Sequence, residues 1–90
     1  MMSALAQPTR LAVFSLLAEA GADGLTAGDL AERTGTPANT MSSHLLILSR
    51  AGLATSRRTG RNIFYAAQAD AARDLTRFLA SLIEDDRARR

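Results

Sequence analysis

The chain has 90 residues, 47% of them apolar, with no cysteine, one histidine and a formal charge of +2. A domain this short buries only about 60–65% of its unfolded surface and is marginal alone, so with disulfides excluded its stability rests on helix packing and on a partner subunit. The apolar content excludes a disordered segment. No apolar run nears the roughly 20 residues of a bilayer span, and Met1-Met2-Ser3-Ala4-Leu5 lacks the basic start and long apolar stretch of a signal peptide. The expected compartment is the cytoplasm, with no membrane partner. Charge is distributed unevenly. No Asp or Glu occurs between Arg33 and Ala69, a stretch that carries Arg33, Arg50, Arg57, Arg58 and Arg61. The acids lie before it (Glu19, Asp23, Asp29, Glu32) and after it (Asp70, Asp74, Glu84, Asp85, Asp86). A basic middle between acidic ends points to a face that binds a polyanion. Every basic residue is Arg, whose planar fork suits phosphates and guanine edges.

A short helix is predicted from Ser3 to just before Pro8. Pro8 fits the first turn of a second helix, Pro8 to Ala20, because a helix does not use its first N–H groups. Leu11, Val13, Phe14, Leu16 and Leu17 lie nearly all round it, the pattern of a central, buried helix. Gly21 to Gly24 end it. Thr26 is the predicted cap of a third helix, with Asp29 three residues on, and Gly35 stops that helix after Thr34. Thr36 is read as a second cap, with Pro37 at the first helical position of a fourth helix that ends near Arg50 or Ala51. Leu53 to Arg58 and Arg61 to Ala67 then read as two short strands around a Thr59-Gly60 turn. From about Asp70 the helical period returns. Leu75, Phe78, Leu79, Leu82 and Ile83 fall at i, i+3, i+4, i+7 and i+8, forming one apolar stripe. The tail from Glu84 to Arg90 is expected to fray.

The order is helix, helix, helix–tight turn–helix, hairpin, helix. It is a mainly α fold with a small β-hairpin, about five helices plus a two-stranded wing: a winged helix-turn-helix. One domain is expected over 1–90. Its parts are N-terminal helices at 3–20, the helix-turn-helix at 26–51, the wing at 53–67 and a C-terminal helix at 70–88.

On the fourth helix Met41, Leu45 and Leu48 must pack inward. The opposite side carries Asn39, Ser43, Leu46 and Arg50, with Thr36, Thr40 and Ile47 at its flank. A major groove admits one helix, whose N-terminal side chains reach base edges. Asn pairs bidentately with adenine, Ser and Thr reach bases or phosphates, and the helix start favours phosphate. Arg57, Arg58 and Arg61 cluster at the hairpin tip, placed for a phosphate backbone or a narrow minor groove. His44 lies at the edge of the packed side, within reach of a phosphate. Leu46 and Ile47 have two readings: contact with a thymine methyl, or packing on the hairpin.

These residues resemble the ArsR/SmtB family of bacterial winged-helix repressors over nearly the whole chain. The resemblance lies in Pro8-Thr9-Arg10-Leu11 and in Ser42-x-His44-Leu45-x-x-Leu48-x-x-Ala51-Gly52-Leu53, followed by the wing sequence RRTGRNIFYA. It implies a homodimer built by the first and last helices, placing Leu5, Leu75, Phe78, Leu79, Leu82 and Ile83 at the interface. It implies a semi-palindromic operator on double-stranded DNA, each half read by Asn39, Thr40, Ser42 and Ser43, and released by an inducer. The family's arsenic and lead sensors carry Cys-x-Cys where this chain has Thr26-Ala27-Gly28, and its zinc and nickel sensors use His on a last helix that here has none. Hard carboxylate oxygens do not make a selective soft-metal site, and without a thiol there is no thiol redox sensing. The expectation is a cofactor-free repressor with no metal site, released by a non-metal or unidentified signal.

Two other readings stand beside it. A winged-helix module that contacts protein is motivated by Leu46, Ile47 and the low net charge. A metal-responsive repressor would use the carboxylates and His44. An enzyme is not expected, because the sole His has no Ser–His–acid setting and the chain has no Gly-rich phosphate loop.

Overall fold

Pro8 opens the helix on which most of the other elements pack. The computed structural model describes the backbone of residues 2–88 and the side chains of residues 3–78 and 80–84. Helices α1 (Met2–Leu5), α2 (Pro8–Ala20), α3 (Ala27–Thr34), α4 (Ala38–Arg50) and α5 (Ala69–Ala88) are joined by strands β1 (Leu25–Thr26), β2 (Ala54–Thr59) and β3 (Asn62–Ala67). A 3₁₀ turn, Gly21–Asp23, links α2 to β1. The fold is a winged helix-turn-helix.

Local chemistry sets most boundaries. The Gln7 side chain accepts from the Arg10 N–H at 2.7 Å and caps α2. Thr26 and Asp29 form a reciprocal capping box on α3, at 3.1 and 3.2 Å. Gly35 ends α3 at φ 65°, ψ 31°. Its N–H donates to the Glu32 carbonyl and the Thr36 N–H to the Ala31 carbonyl, the paired bonds that close a helix through a left-handed residue. That closure fixes the tight turn between α3 and α4. It also changes the part assigned to Thr36. The residue that caps α4 is Pro37, with no side-chain cap bond, and the Thr36 hydroxyl accepts instead from Thr34 at 2.8 Å.

The wing belongs to a three-stranded sheet in the order β1-β3-β2, where two strands were expected. Leu25 pairs with Tyr65 and Thr26 with Phe64, both antiparallel. A two-residue strand is too short to show period-two alternation, so its pattern carries no signal. The hairpin register runs from Ala54–Ala67 to Thr59–Asn62, which puts the turn at Gly60-Arg61, one residue later than predicted, with Arg61 at its tip.

Val13, Phe14, Leu17, Leu30, Met41, Leu45, Leu48 and Leu53 form the core, each no more than 2% exposed. Helix α2 is not buried on every side. Val13, Phe14 and Leu17 turn inward, but Leu11 stays 43% exposed, because so short a chain has too few elements to enclose a helix. Helix α5 continues through the segment expected to fray, to Ala88.

Candidate nucleic-acid interface

Helix α4 presents two faces. Met41, Leu45 and Leu48 pack inward, while Asn39, Ser43, Leu46 and Arg50 are exposed on the opposite side, with Thr40 and Ile47 exposed beside them. The polar groups near the helix start make only local bonds. Asn39 Oδ1 accepts from the Thr40 N–H at 2.9 Å. The Ser42 and Ser43 hydroxyls donate to the carbonyls of Ala38 and Asn39 at 3.2 and 3.4 Å. The Asn39 amide nitrogen and the lone pairs of both hydroxyls keep their capacity for an outside partner. With no side chain capping α4, the positive end of the helix remains available to an anion.

A groove lies on each flank of this face. On one side Ser42 shares a cleft with Arg61, Asn62, Ile63 and Tyr65 of the wing and with the start of α3. On the other, Ile47, Arg50 and Ala51 border a groove with Ser3, Ala4 and Arg10. Ile47 therefore borders α1 and α2 across that groove. Asn62 and Arg10 were absent from the predicted set. Asn62 is signalled only by its place next to the turn, and Arg10 by a motif read as helical scaffold.

The three wing arginines do not act as one cluster. Arg57 Nη2 donates to the Asp23 carbonyl at 2.9 Å and Nη1 to Thr59 Oγ1 at 3.2 Å. The Arg57 guanidinium also sits over the Phe64 ring, 5.1 Å from its centroid, within cation–π range. It fastens the wing to the 3₁₀ turn. Among the described residues, Arg58 and Arg61 make no side-chain hydrogen bond or ion pair; the sole ion pair there joins Arg73 to Asp70. Successive strand residues point to opposite faces. That alternation separates Arg57 from Arg58 and is legible in the sequence once the register is known.

The remaining predicted residues are placed as follows. Thr36 is half-buried behind the start of α4. His44 is half-buried, and its Nδ1 is buried without a hydrogen-bond partner among the described residues. Leu5, expected between subunits, is only 5% exposed within its own chain and packs into the core, so it has little surface left for a partner. Leu75 packs partly against the core. Phe78, Leu82 and Ile83 stand 46%, 50% and 57% exposed. The side chain of Leu79 lies outside the described residues. Among the described residues, no three His, Cys, Asp or Glu side chains gather where they could hold one metal ion, and no helix is long and apolar enough to cross a membrane.

The profile of a helix-turn-helix domain family, described as "Helix-turn-helix domain", matches residues 5–57. The homodimeric winged helix-turn-helix DNA-binding domain of Mb0332 from Mycobacterium bovis, described as a possible ArsR-family transcriptional regulator, is 32% identical. The match covers 93% of this chain and 74% of that one, with a TM-score of 0.77. This chain belongs to the ArsR family. NolR from Sinorhizobium fredii is 27% identical, with coverage of 90% and 78% and a TM-score of 0.76. Reduced HlyU from Vibrio cholerae is 26% identical, with coverage of 90% and 82% and a TM-score of 0.74. No curated protein matches the sequence significantly. The chain is thus a winged helix-turn-helix DNA-binding domain of a transcriptional regulator. In this ArsR-family domain the residues Thr26-Ala27-Gly28 open α3, and Thr26 serves as its helix cap.

Proposed function

We propose that this ArsR-family protein represses transcription as a homodimer on a semi-palindromic duplex operator, and that a non-metal signal releases it. The observation that carries the reading is the outward face of α4, whose polar side chains make only local bonds and whose flanking Ser42 shares a cleft with Arg61 of the wing. Asn39, Thr40, Ser42 and Ser43 read base edges in each half-site. Arg50, Arg58 and Arg61 hold phosphates, and Thr36 and His44 border the contact. Phe78, Leu82 and Ile83 supply an apolar surface for a second copy, and the Mycobacterium bovis relative is described as homodimeric. Two recognition helices about 34 Å apart would match successive turns of B-form DNA. A non-metal signal fits a chain with no thiol and no described cluster of metal ligands.

Salt titration of duplex binding tests the proposal. Each phosphate contact contributes about 0.9 to the slope of log affinity against log salt. Arg58→Ala should lower that slope by about 1 and weaken all sequences alike. Arg57→Ala should weaken binding by loosening the wing while leaving the slope unchanged. Failure of the intact protein to shift any duplex at low salt would remove the DNA reading.

A further inference from the structure

We infer that Arg10 and Arg50 form a second clamp for the DNA backbone, on the flank of α4 opposite the wing. The inference rests on the DNA reading above and adds a binding site to it. Ser3, Ala4, Arg10, Ile47, Arg50 and Ala51 line an open groove of about 480 Å³, roomy enough for a phosphodiester with its sugar. No acidic residue lines it, and among the described residues neither arginine is paired with a carboxylate. Arg10 Nε donates to the Ala4 carbonyl at 2.7 Å. That bond fixes the plane of the guanidinium and leaves both Nη groups without a partner among the described residues. Arg50 makes no side-chain hydrogen bond there, so its whole fork is available. A preoriented guanidinium beside a free one is a match for phosphate oxygens.

The occupant follows from continuity. Ile47, Arg50 and Ala51 lie on or at the end of α4, so the groove is the edge of the face that enters DNA. A helix in a major groove, about 12 Å wide, has a phosphate strand on each side. Ser42 and Arg61 border one flank of α4, and Arg10 and Arg50 border the other. The wing grips one strand, and the clamp at the start of α2 grips the other. Arg10 thereby gains a binding role in addition to its bond to α1.

The full chain is titrated with a labelled mixed-sequence duplex of roughly thirty base pairs, between about 50 and 200 mM salt. Arg10→Gln should lower the salt slope by about 1 and the affinity about tenfold at the lower salt. Arg10→Lys should recover most of the slope, because the charge returns. A residue that only anchors α1 would lower the melting temperature in both variants and leave the slope alone. Ser3→Glu, at the exposed rim of the groove, keeps the Arg10 bond and should weaken binding severalfold through repulsion. Arg58→Ala is the reference. A slope lowered by Arg58→Ala but unmoved by Arg10→Gln or, where Arg10→Gln does not fold, an affinity unchanged by Ser3→Glu, overturns the second clamp and leaves the DNA reading standing. No duplex binding by the unsubstituted protein overturns both.

Discussion

In α2, α3 and α4 the apolar residues close on one another, whereas in the outer half of α5 they face out. Leu17, Leu30, Met41 and Leu48 have no accessible surface, yet Phe78, Leu82 and Ile83 keep 46%, 50% and 57% of theirs. Both sets follow helical spacing. What separates them is the presence of neighbours. Helix α2 meets α1, α3, α4 and β3, while α5 leaves the body of the domain after Ala71, Ala72 and Leu75, its last residues packed on the core. Periodicity marks the face to be buried and leaves open which surface buries it. The closed set stabilises one chain; the open set leaves apolar surface exposed.

Three variants test that contrast. Leu17→Ala should have the largest effect, a loss of about 2–5 kcal/mol in chemical denaturation, since a buried leucine leaves both a cavity and a lost transfer term. That loss should not depend on protein concentration. Gly24→Ala comes next. Gly24 has φ +74°, ψ −174°, and a Cβ there would lie 2.3 Å from the Tyr65 carbonyl oxygen. The conformation alone costs a non-glycine residue about 1–3 kcal/mol, so the variant should melt earlier, with weakened amide protection in β3. Near-native melting would mean that β3 can move away from α2 and the 3₁₀ turn. The double change Phe78→Asp and Leu82→Asp should have the smallest effect on a single chain, because both residues are already exposed. It should weaken self-association by at least tenfold, about 1.4 kcal/mol, in sedimentation measurements. Sedimentation identical to the parent would show that α5 does not carry the dimer, and a collapse of the isolated fold would place it in the core.

The arginines repeat the lesson on a smaller scale. Arg57, Arg58 and Arg61 look alike in a stretch free of acids, and charge counting groups them. The pleat of β2 parts the first two. Arg57 folds back to the Asp23 carbonyl and the Phe64 ring, and Arg58 stays free among the described residues. Arg10 makes the opposite case: it reads as scaffold in sequence and borders the flank of α4 in space.

The sequence by itself determined the five helices, the hairpin and their order. Pro8, the Thr26–Asp29 box, Gly35 and the apolar periods act within a few residues, so their effects are written locally. It also marked the outward side of α4, because the inward positions Met41, Leu45 and Leu48 leave only one face open. Tertiary structure decided what depends on contacts between distant segments. These are the pairing of Leu25 and Thr26 with β3, the return of Arg57 to the 3₁₀ turn, the burial of Leu5 within its own chain and the meeting of Arg10 with Arg50. Leu25 and Tyr65 lie 40 positions apart in the chain and Arg57 and Asp23 lie 34 apart, and no local pattern encodes such contacts.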